Sequence, residues 1–142
     1  MMNYKELVKA MSTDLNIINL TPYEIDLYLP SQVENSTIKE GEKPIRVFPS
    51  QGIAKCSVQK DSAGTIQFTL KNGLSVPIKV YETVYGDIEG LPPMRPCVDF
   101  FIVDINVANA VKESGEFRND LLIVNPIYKD HERIICSAFE VA

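Results

Sequence analysis

Arg118 and Asp120 are the residues whose types and spacing first suggest chemistry. They lie two apart, directly before an apolar run from residue 121 to 124. If a strand has already begun at residue 118, the two side chains share one face of it. A planar guanidinium binds carboxylates and phosphates through paired hydrogen bonds. Arg118 is therefore either a clasp for Asp120 or a contact for an anionic ligand, and both interpretations stay open.

Three further residues extend the ligand hypothesis. Arg95 lies between Pro93 and Pro96, which restrict the backbone around it. Tyr23 and Tyr85 offer aromatic surfaces on which a base or ring can stack, although tyrosines at such positions also serve as core or cross-strand residues. The predicted ligand-binding set is Arg118, Asp120, Arg95, Tyr23 and Tyr85.

The sequence predicts no catalytic residue. Nucleophilic catalysis by Ser or Cys usually needs a neighbouring base, and the single histidine, His131, lies in a charged turn where exposure is expected. Acid–base work by carboxylates remains an alternative, and no spacing selects a pair among its candidates, which are Asp87, Glu89, Asp99, Asp104 and Asp120. Asp104 also reads as the N-cap of a helix, where its side chain would accept hydrogen bonds from free backbone N–H groups.

Metal and cofactor signatures are missing from the sequence as well. The three cysteines, Cys56, Cys97 and Cys136, are far apart, form no CxxC pair and are expected to be free thiols in a reducing compartment. The segment GDIEG has two glycines but lacks the spacing of a phosphate-binding loop. We therefore predict no metal site and no cofactor.

Composition narrows the class of partner. The chain has 142 residues, 45% hydrophobic residues and a net charge of -5, with no basic run, which argues against non-specific nucleic-acid binding. No apolar run approaches the roughly 20 residues of a membrane helix. The charged N-terminal residues do not resemble a signal peptide. We expect a cytoplasmic protein that is not associated with a membrane.

The elements that must position these residues begin with a short amphipathic helix over residues 1–12. Tyr4, Leu7, Val8 and Met11 form one apolar stripe at helical spacing. So short a helix is marginal alone and must dock on its own domain or on a neighbouring subunit. The stripe therefore favours a homo-oligomer.

Residues 16–141 read as a β-rich core. About eight or nine short strands alternate with turn signals at roughly ten-residue spacing. Turns are predicted at residues 49–52 and 61–64, a hairpin at Asn72-Gly73 and a second short helix over residues 105–113 that ends before Gly115. Residues 86–96 read as an ordered loop of the kind that lines binding surfaces. We predict one domain over residues 1–142, mainly β, built as a sandwich or a partly open barrel with two short helices.

Several short motifs resemble a group of small, mostly uncharacterised proteins of bacteria and their phages. They are Asn19-Leu20-Thr21-Pro22-Tyr23, Pro49-Ser50 with Gly52, Gly86 with Gly90-Leu91-Pro92, Ile102-Val103-Asp104 with Ala108 and Ala110, and Arg118 with Asp120 and Pro126. The resemblance covers about residues 16–141 and implies a phage or prophage origin without an established activity. Tyr23 stands where the group usually has His, so a mechanism that used this His would be lost.

Three functions follow as hypotheses. The first is a non-enzymatic phage accessory protein that binds a small anionic ligand or a protein partner, by analogy with proteins that sequester a nucleotide signal of host immunity. The second is a carboxylate-dependent hydrolase that acts on a nucleotide. The third is a virion or assembly protein, which the predicted docking helix favours.

Overall fold

The computed structural model describes residues 15–142, so the helix predicted for residues 1–12 lies outside the described residues. The strands are β1 Ile17–Asn19, β2 Glu24–Leu27, β3 Val33–Glu34, β4 Thr37–Ile38, β5 Arg46–Phe48, β6 Lys55–Thr69, β7 Ser75–Glu89, β8 Phe100–Ile102, β9 Leu121–Lys129 and β10 Arg133–Val141. A 3-10 turn covers Pro30–Gln32, and one α-helix, α1, covers Ile105–Ser114.

Six of the strands form a sheet that nearly closes into a barrel. Their order is β1-β8-β9-β10-β2-β5. The two edges of this sheet meet beyond β5, where Ser50 forms a bridge with Asn19 of β1 and the amide of Gln51 donates to the Asn19 carbonyl at 2.9 Å. Closure removes the exposed edges of a sheet. The prediction of a mainly β chain with a barrel-like core is thus confirmed.

The central strands β8 and β9 explain the two continuous apolar runs of the sequence. Strand β8 and the first residues of β9, Leu121 and Leu122, form a parallel pair that is covered on both faces, as is usual for parallel strands. Ile102 and Leu122 point into the barrel, whereas Phe101 and Leu121 lie in a second cluster that includes Val107 of α1. One face of each strand therefore fills the barrel, and the other supports the helix.

Helix α1 connects β8 to β9, as the sequence predicts. Asp104 caps its N-terminus by accepting a hydrogen bond from the amide of Asn106 at 3.1 Å. Gly115 ends it in the left-handed conformation, with φ of 75°. The buried face of the helix consists of Val107, Ala108, Ala110 and Val111. Small residues on this face allow the helix to lie close to the sheet.

Strands β6 and β7 form a long two-stranded ribbon outside the barrel. Each strand has 15 residues, and Asn72-Gly73 makes the predicted turn between them. The turn predicted at residues 61–64 is wrong, because these residues belong to β6 and carry a register shift there. Residues 86–89, predicted as loop, continue β7. Cys56 and Ile88 pack on the cluster beneath α1, so the ribbon is anchored at its base.

The last two strands, β9 and β10, form an antiparallel hairpin that positions the end of the barrel. Strand β9 continues beyond Pro126 to Lys129, and the pairing shifts register near Cys136. Asp130 holds the turn by accepting the amides of Glu132 and Arg133, both at 2.8 Å. Among residues 15–142, no helix has the length and apolar character needed to cross a membrane.

Candidate functional site

A cleft of about 370 Å³ opens at one end of the barrel. Its walls come from the turn after β1, the start of α1 and the hairpin of β9 and β10. The lining residues are Thr21, Pro22, Tyr23, Val103, Asp104, Ile105, Ile123, Val124, Pro126, Lys129 and Ile134. Most of these side chains are apolar, and among these described residues Lys129 is the one cation. Apolar walls with few polar groups are typical of small-molecule sites.

The turn after β1 holds Tyr23 at this cleft through buried hydrogen bonds. The Asn19 side chain, fully buried, accepts the Thr21 amide at 2.9 Å and the Thr21 hydroxyl at 2.7 Å. Its amide group donates to the carbonyls of Tyr23 at 2.7 Å and Phe48 at 3.0 Å. A network in which each buried polar group has a partner fixes one conformation. The motif from Asn19 to Tyr23 is therefore a rigid support for the tyrosine.

Lys129 lies directly against this tyrosine. Its Nζ is 4.4 Å from the centre of the Tyr23 ring, within the range of a cation–π contact. The two residues are far apart in sequence and meet because β10 lies between β2 and β9 in the sheet. The sequence predicted Tyr23 as a site residue but not Lys129. No motif around Lys129 indicates ligand binding, and it reads as part of a charged turn.

Asp104 is the acidic residue of the cleft wall. Its Oδ1 accepts the Asn106 amide, so the carboxylate is engaged at the N-terminus of α1. The helix dipole favours a negative charge at this position. The cleft is thus mostly apolar, with the cation Lys129 on the side of the hairpin and the carboxylate of Asp104, which caps α1, on the side of the helix.

Arg118 and Asp120 form a buried clasp. Arg118 Nε and Nη2 donate to the two carboxylate oxygens of Asp120 at 2.9 and 3.0 Å. The two side chains are 4% and 8% exposed. Asp120 also connects to β8, because its carbonyl accepts the Phe101 amide at 2.7 Å. The geometry agrees with the first of the two interpretations, in which Arg118 is a clasp for Asp120. Neither residue lines the cleft.

Arg95 and Tyr85 lie away from the cleft as well. Arg95 is exposed in the segment that follows the ribbon, and its carbonyl accepts the Val98 amide at 3.2 Å. Tyr85 lies on β7, where its hydroxyl accepts a hydrogen bond from the Asn109 side chain of α1 at 3.3 Å. Of the five predicted ligand-binding residues, Tyr23 lines the cleft, and Arg118, Asp120, Arg95 and Tyr85 do not.

The residues at the base of the ribbon make a second, more polar cleft of about 420 Å³. Lys55, Cys56, Ser57, Asp87 and Glu89 line it. Lys55 is already opposite Glu89, with Nζ 3.9 Å from the carboxylate. Two acids against one cation make this surface unsuited to an anionic ligand.

Three of the candidate carboxylates of the hydrolase hypothesis each have a structural partner. Asp99 accepts the Asn16 amide at 2.7 Å, Asp104 caps α1 and Asp120 holds Arg118. The His131 side chain is 88% exposed beside Glu132. These three carboxylates are therefore engaged in structural contacts. Asp87 and Glu89, the other two candidates, line the second cleft, where Lys55 lies 3.9 Å from Glu89.

A charged cluster that the sequence did not reveal connects β2 and β10. Arg133 donates to Asp26 Oδ2 at 3.0 Å and to Glu24 at 3.1 Å. Asp26 is 3% exposed, and its Oδ1 has no hydrogen-bond partner in the part of the chain that the structure describes. Burial raises the pKa of Asp26, the nearby Arg133 lowers it and Glu24 raises it, with a net increase. Only the parallel register of β2 and β10 brings these residues together.

The three cysteines carry free thiols with different environments. Cys97 is exposed, Cys56 is half-buried and Cys136 is buried in the barrel. Burial raises the pKa of the Cys136 thiol to about 11, and burial followed by the charge of Asp104 raises that of Cys56. Within residues 15–142, no group of three or more His, Cys, Asp or Glu side chains is placed to hold a metal ion.

Comparison of the chain with known protein families, curated proteins and solved structures gave no match.

Proposed function

We propose that this protein is a non-enzymatic binding protein whose barrel-end cleft holds a small ligand with an anionic group and an apolar or planar body. The observation that carries the proposal is the contact between Lys129 and Tyr23 in the cleft of about 370 Å³. The Arg118 guanidinium is already paired with Asp120. We therefore assign the contact with the anionic group to Lys129 instead of Arg118.

The size and lining of the cleft support a small organic ligand. Small-molecule sites usually have volumes of about 300 to 1,000 Å³, apolar walls and a few fixed polar groups. The cleft lies near the lower end of this range, and its aliphatic walls include Ile123, Val124 and Ile134. These side chains favour the flat apolar surface of a base or ring over a sugar or a peptide backbone.

The charges of the cleft favour an anion bound on the hairpin side. Lys129 is exposed at the end of β9, so its ammonium can turn from the Tyr23 ring towards a phosphate or carboxylate without breaking an ion pair among the described residues. Asp104 on the opposite wall would repel a second negative group. A ligand with one phosphate or one carboxylate fits this arrangement better than a polyphosphate.

A nucleotide with a single exposed phosphate, linear or cyclic, combines these features. Sequestration of such a signal in the cytoplasm of a phage-infected host is the biological setting that we propose. It rests on the analogy drawn from the sequence motifs and on a cleft that offers binding groups. The hydrolase alternative has no such observation in its favour.

Isothermal titration calorimetry against a panel of nucleotides tests the proposal. The panel contains cyclic mononucleotides, cyclic dinucleotides and ADP-ribose derivatives, each beside the matching nucleoside without phosphate. We expect a phosphate-bearing member to bind and its nucleoside to bind much more weakly. No heat from any member would remove the nucleotide version, and equal affinity for a nucleoside would remove the role of Lys129 as the anion contact.

A further inference from the structure

The distal half of the ribbon, residues 64–80, has one face made of apolar side chains. In an antiparallel pair, residues directly opposite each other lie on the same face, and successive residues alternate between faces. The register places three apolar pairs together, Ile66–Ile78, Phe68–Val76 and Leu70–Leu74, which we call the arm face. The opposite face of the same segment carries Thr65–Lys79, Gln67–Pro77 and Thr69–Ser75.

The arm face is open to solvent in the described chain. Phe68 is 53% and Leu74 61% exposed, and Ile66, Leu70 and Ile78 are about half exposed. None of these side chains belongs to either buried core cluster within residues 15–142. The largest contiguous apolar patch on a monomeric protein is about 300 to 600 Å² and often has a function, and larger patches mark surfaces that bind another molecule.

The area of the arm face comes close to what a dimer requires. An aromatic side chain buries roughly 150 to 250 Å² and an aliphatic one somewhat less, so five that are about half exposed leave about 400 to 500 Å² per copy. Two such faces packed together bury about 800 to 1,000 Å², and the flanking valines add to this. About 1,000 Å² is the lower bound for a specific protein interface.

The chemistry of the arm face selects a second copy of the same chain. Lys71 and Lys79 are the charged residues of this segment, the first in the turn and the second on the opposite face. An uncharged face gives no preference for an acidic or basic partner, and an identical apolar face complements it under a two-fold axis. Two ribbons packed in this way form a small two-layer β-sandwich.

We propose that the protein forms a two-fold symmetric dimer in which the arm face of one copy packs on the arm face of the other. Lys79 then lies on the outer surface of the paired ribbons, and Lys71 lies in the turn at the tip of each ribbon. The barrel-end cleft takes no part in this contact, so the dimer and the ligand site are independent.

Sedimentation velocity of the full chain at micromolar concentration tests the dimer with a matched pair of variants. Phe68→Lys places a charge in the arm face. Gln67→Lys, at the neighbouring residue, places the same charge on the opposite face of the ribbon. We expect a dimer for the wild-type chain and for Gln67→Lys, and a dissociation constant raised at least about tenfold for Phe68→Lys. Unchanged far-UV circular dichroism of both variants shows that the barrel is folded.

A benzophenone amino acid placed at position 68 identifies what the arm face contacts. Cross-links between β6 or β7 of two copies support the arrangement. A monomeric wild-type chain, a dimer that Phe68→Lys leaves intact, or cross-links to the barrel would each overturn it. A cross-link within one copy to residues 1–14 would also overturn it, by making the chain's own N-terminal segment the occupant of the arm face.

Discussion

Arg118 and Asp120 form an ion pair with two parallel hydrogen bonds, of 2.9 and 3.0 Å, and both side chains are nearly inaccessible to solvent. The Arg118 guanidinium also lies 6.0 Å from the centre of the Phe101 ring. The pair connects the loop after α1 to the start of β9 and, through Phe101, to β8.

Removal of one partner should therefore be costly. Arg118→Leu leaves the Asp120 carboxylate buried without a cation, and we expect the free energy of unfolding to fall by about 3 to 5 kcal/mol. Arg118→Leu combined with Asp120→Leu should recover much of this loss, because the two charges are then absent together. Urea unfolding of the wild-type chain, the two single variants Arg118→Leu and Asp120→Leu, and the double variant measures the coupling. A loss below about 1 kcal/mol for Arg118→Leu would contradict the clasp.

Asp26 should make stability depend on pH in the direction opposite to most paired acids. Its folded-state pKa is raised above the model-peptide value of 3.8, mainly by burial, so the folded chain holds this proton more tightly than the unfolded chain. Its contribution to stability is then greatest below about 3.8 and is lost as pH rises through the folded-state pKa.

The matched variant for this prediction is Asp26→Asn, which has no titrating group. The free energy of unfolding of the wild-type chain minus that of Asp26→Asn should rise as pH falls from neutral towards 4. Urea unfolding at a series of pH values gives this difference directly. A difference that falls over the same range would mean that the charge of Arg133 lowers the pKa of Asp26 by more than burial raises it.

Gly90 should tolerate no side chain. It has φ of 78°, and an added Cβ would collide with the carbonyl oxygen of Ile53. Since that oxygen belongs to the backbone and cannot turn away, we expect Gly90→Ala to lower the free energy of unfolding by about 1 to 3 kcal/mol. Thermal unfolding measures the loss.

Gly86 provides the comparison for Gly90. A Cβ at position 86 would meet the Ser57 side chain, and φ at this residue is not positive. The Ser57 hydroxyl can rotate, so Gly86→Ala should cost less than Gly90→Ala, and adding Ser57→Ala should relieve part of the cost. Equal losses of unfolding free energy for Gly86→Ala and Gly90→Ala would show that the collision with the Ile53 backbone is not the reason for glycine at position 90.

The fold was readable from the sequence where local pattern and burial agree. The runs from residue 100 to 103 and from 121 to 124 are apolar on both faces. One face of these strand segments packs in the interior of the barrel, and the other packs against the helix. Asp104 and Gly115 mark the ends of α1 by their capping chemistry. The hairpin turn at Asn72-Gly73 forms where Gly73 takes a positive φ of 83°.

The ribbon shows where local pattern fails. Residues 61–64 have turn composition, yet they continue β6 because the partner strand β7 pairs along its whole length and a register shift absorbs the irregularity. The pairing of distant strands decides this, and no local window contains it. The same reason hides Lys129 and Arg133, whose partners Tyr23 and Asp26 are reached only through the order of strands in the sheet.

The candidate site was therefore predictable in part. Tyr23 is predicted from the sequence as an aromatic surface for a ligand, and the buried network of Asn19 and Thr21 gives the physical reason for its fixed position at the cleft. The sequence offers Arg118 and Arg95 as cations for a ligand and leaves Arg118 open between a clasp and an anion contact. In the fold, Asp120 occupies the Arg118 guanidinium, and the cation beside the tyrosine is Lys129.

The most direct measurement is the affinity of the strongest ligand from the nucleotide panel for Lys129→Ala beside Lys112→Ala. Lys112 is an exposed lysine near the end of α1 and does not line the cleft, so it controls for the loss of one positive charge. A hydrogen bond to a charged group contributes about 1.5 to 3 kcal/mol, so Lys129→Ala should weaken binding about 10- to 150-fold while Lys112→Ala leaves it within about twofold. Equal affinities of the two variants would contradict an anion-binding site at Lys129 and Tyr23.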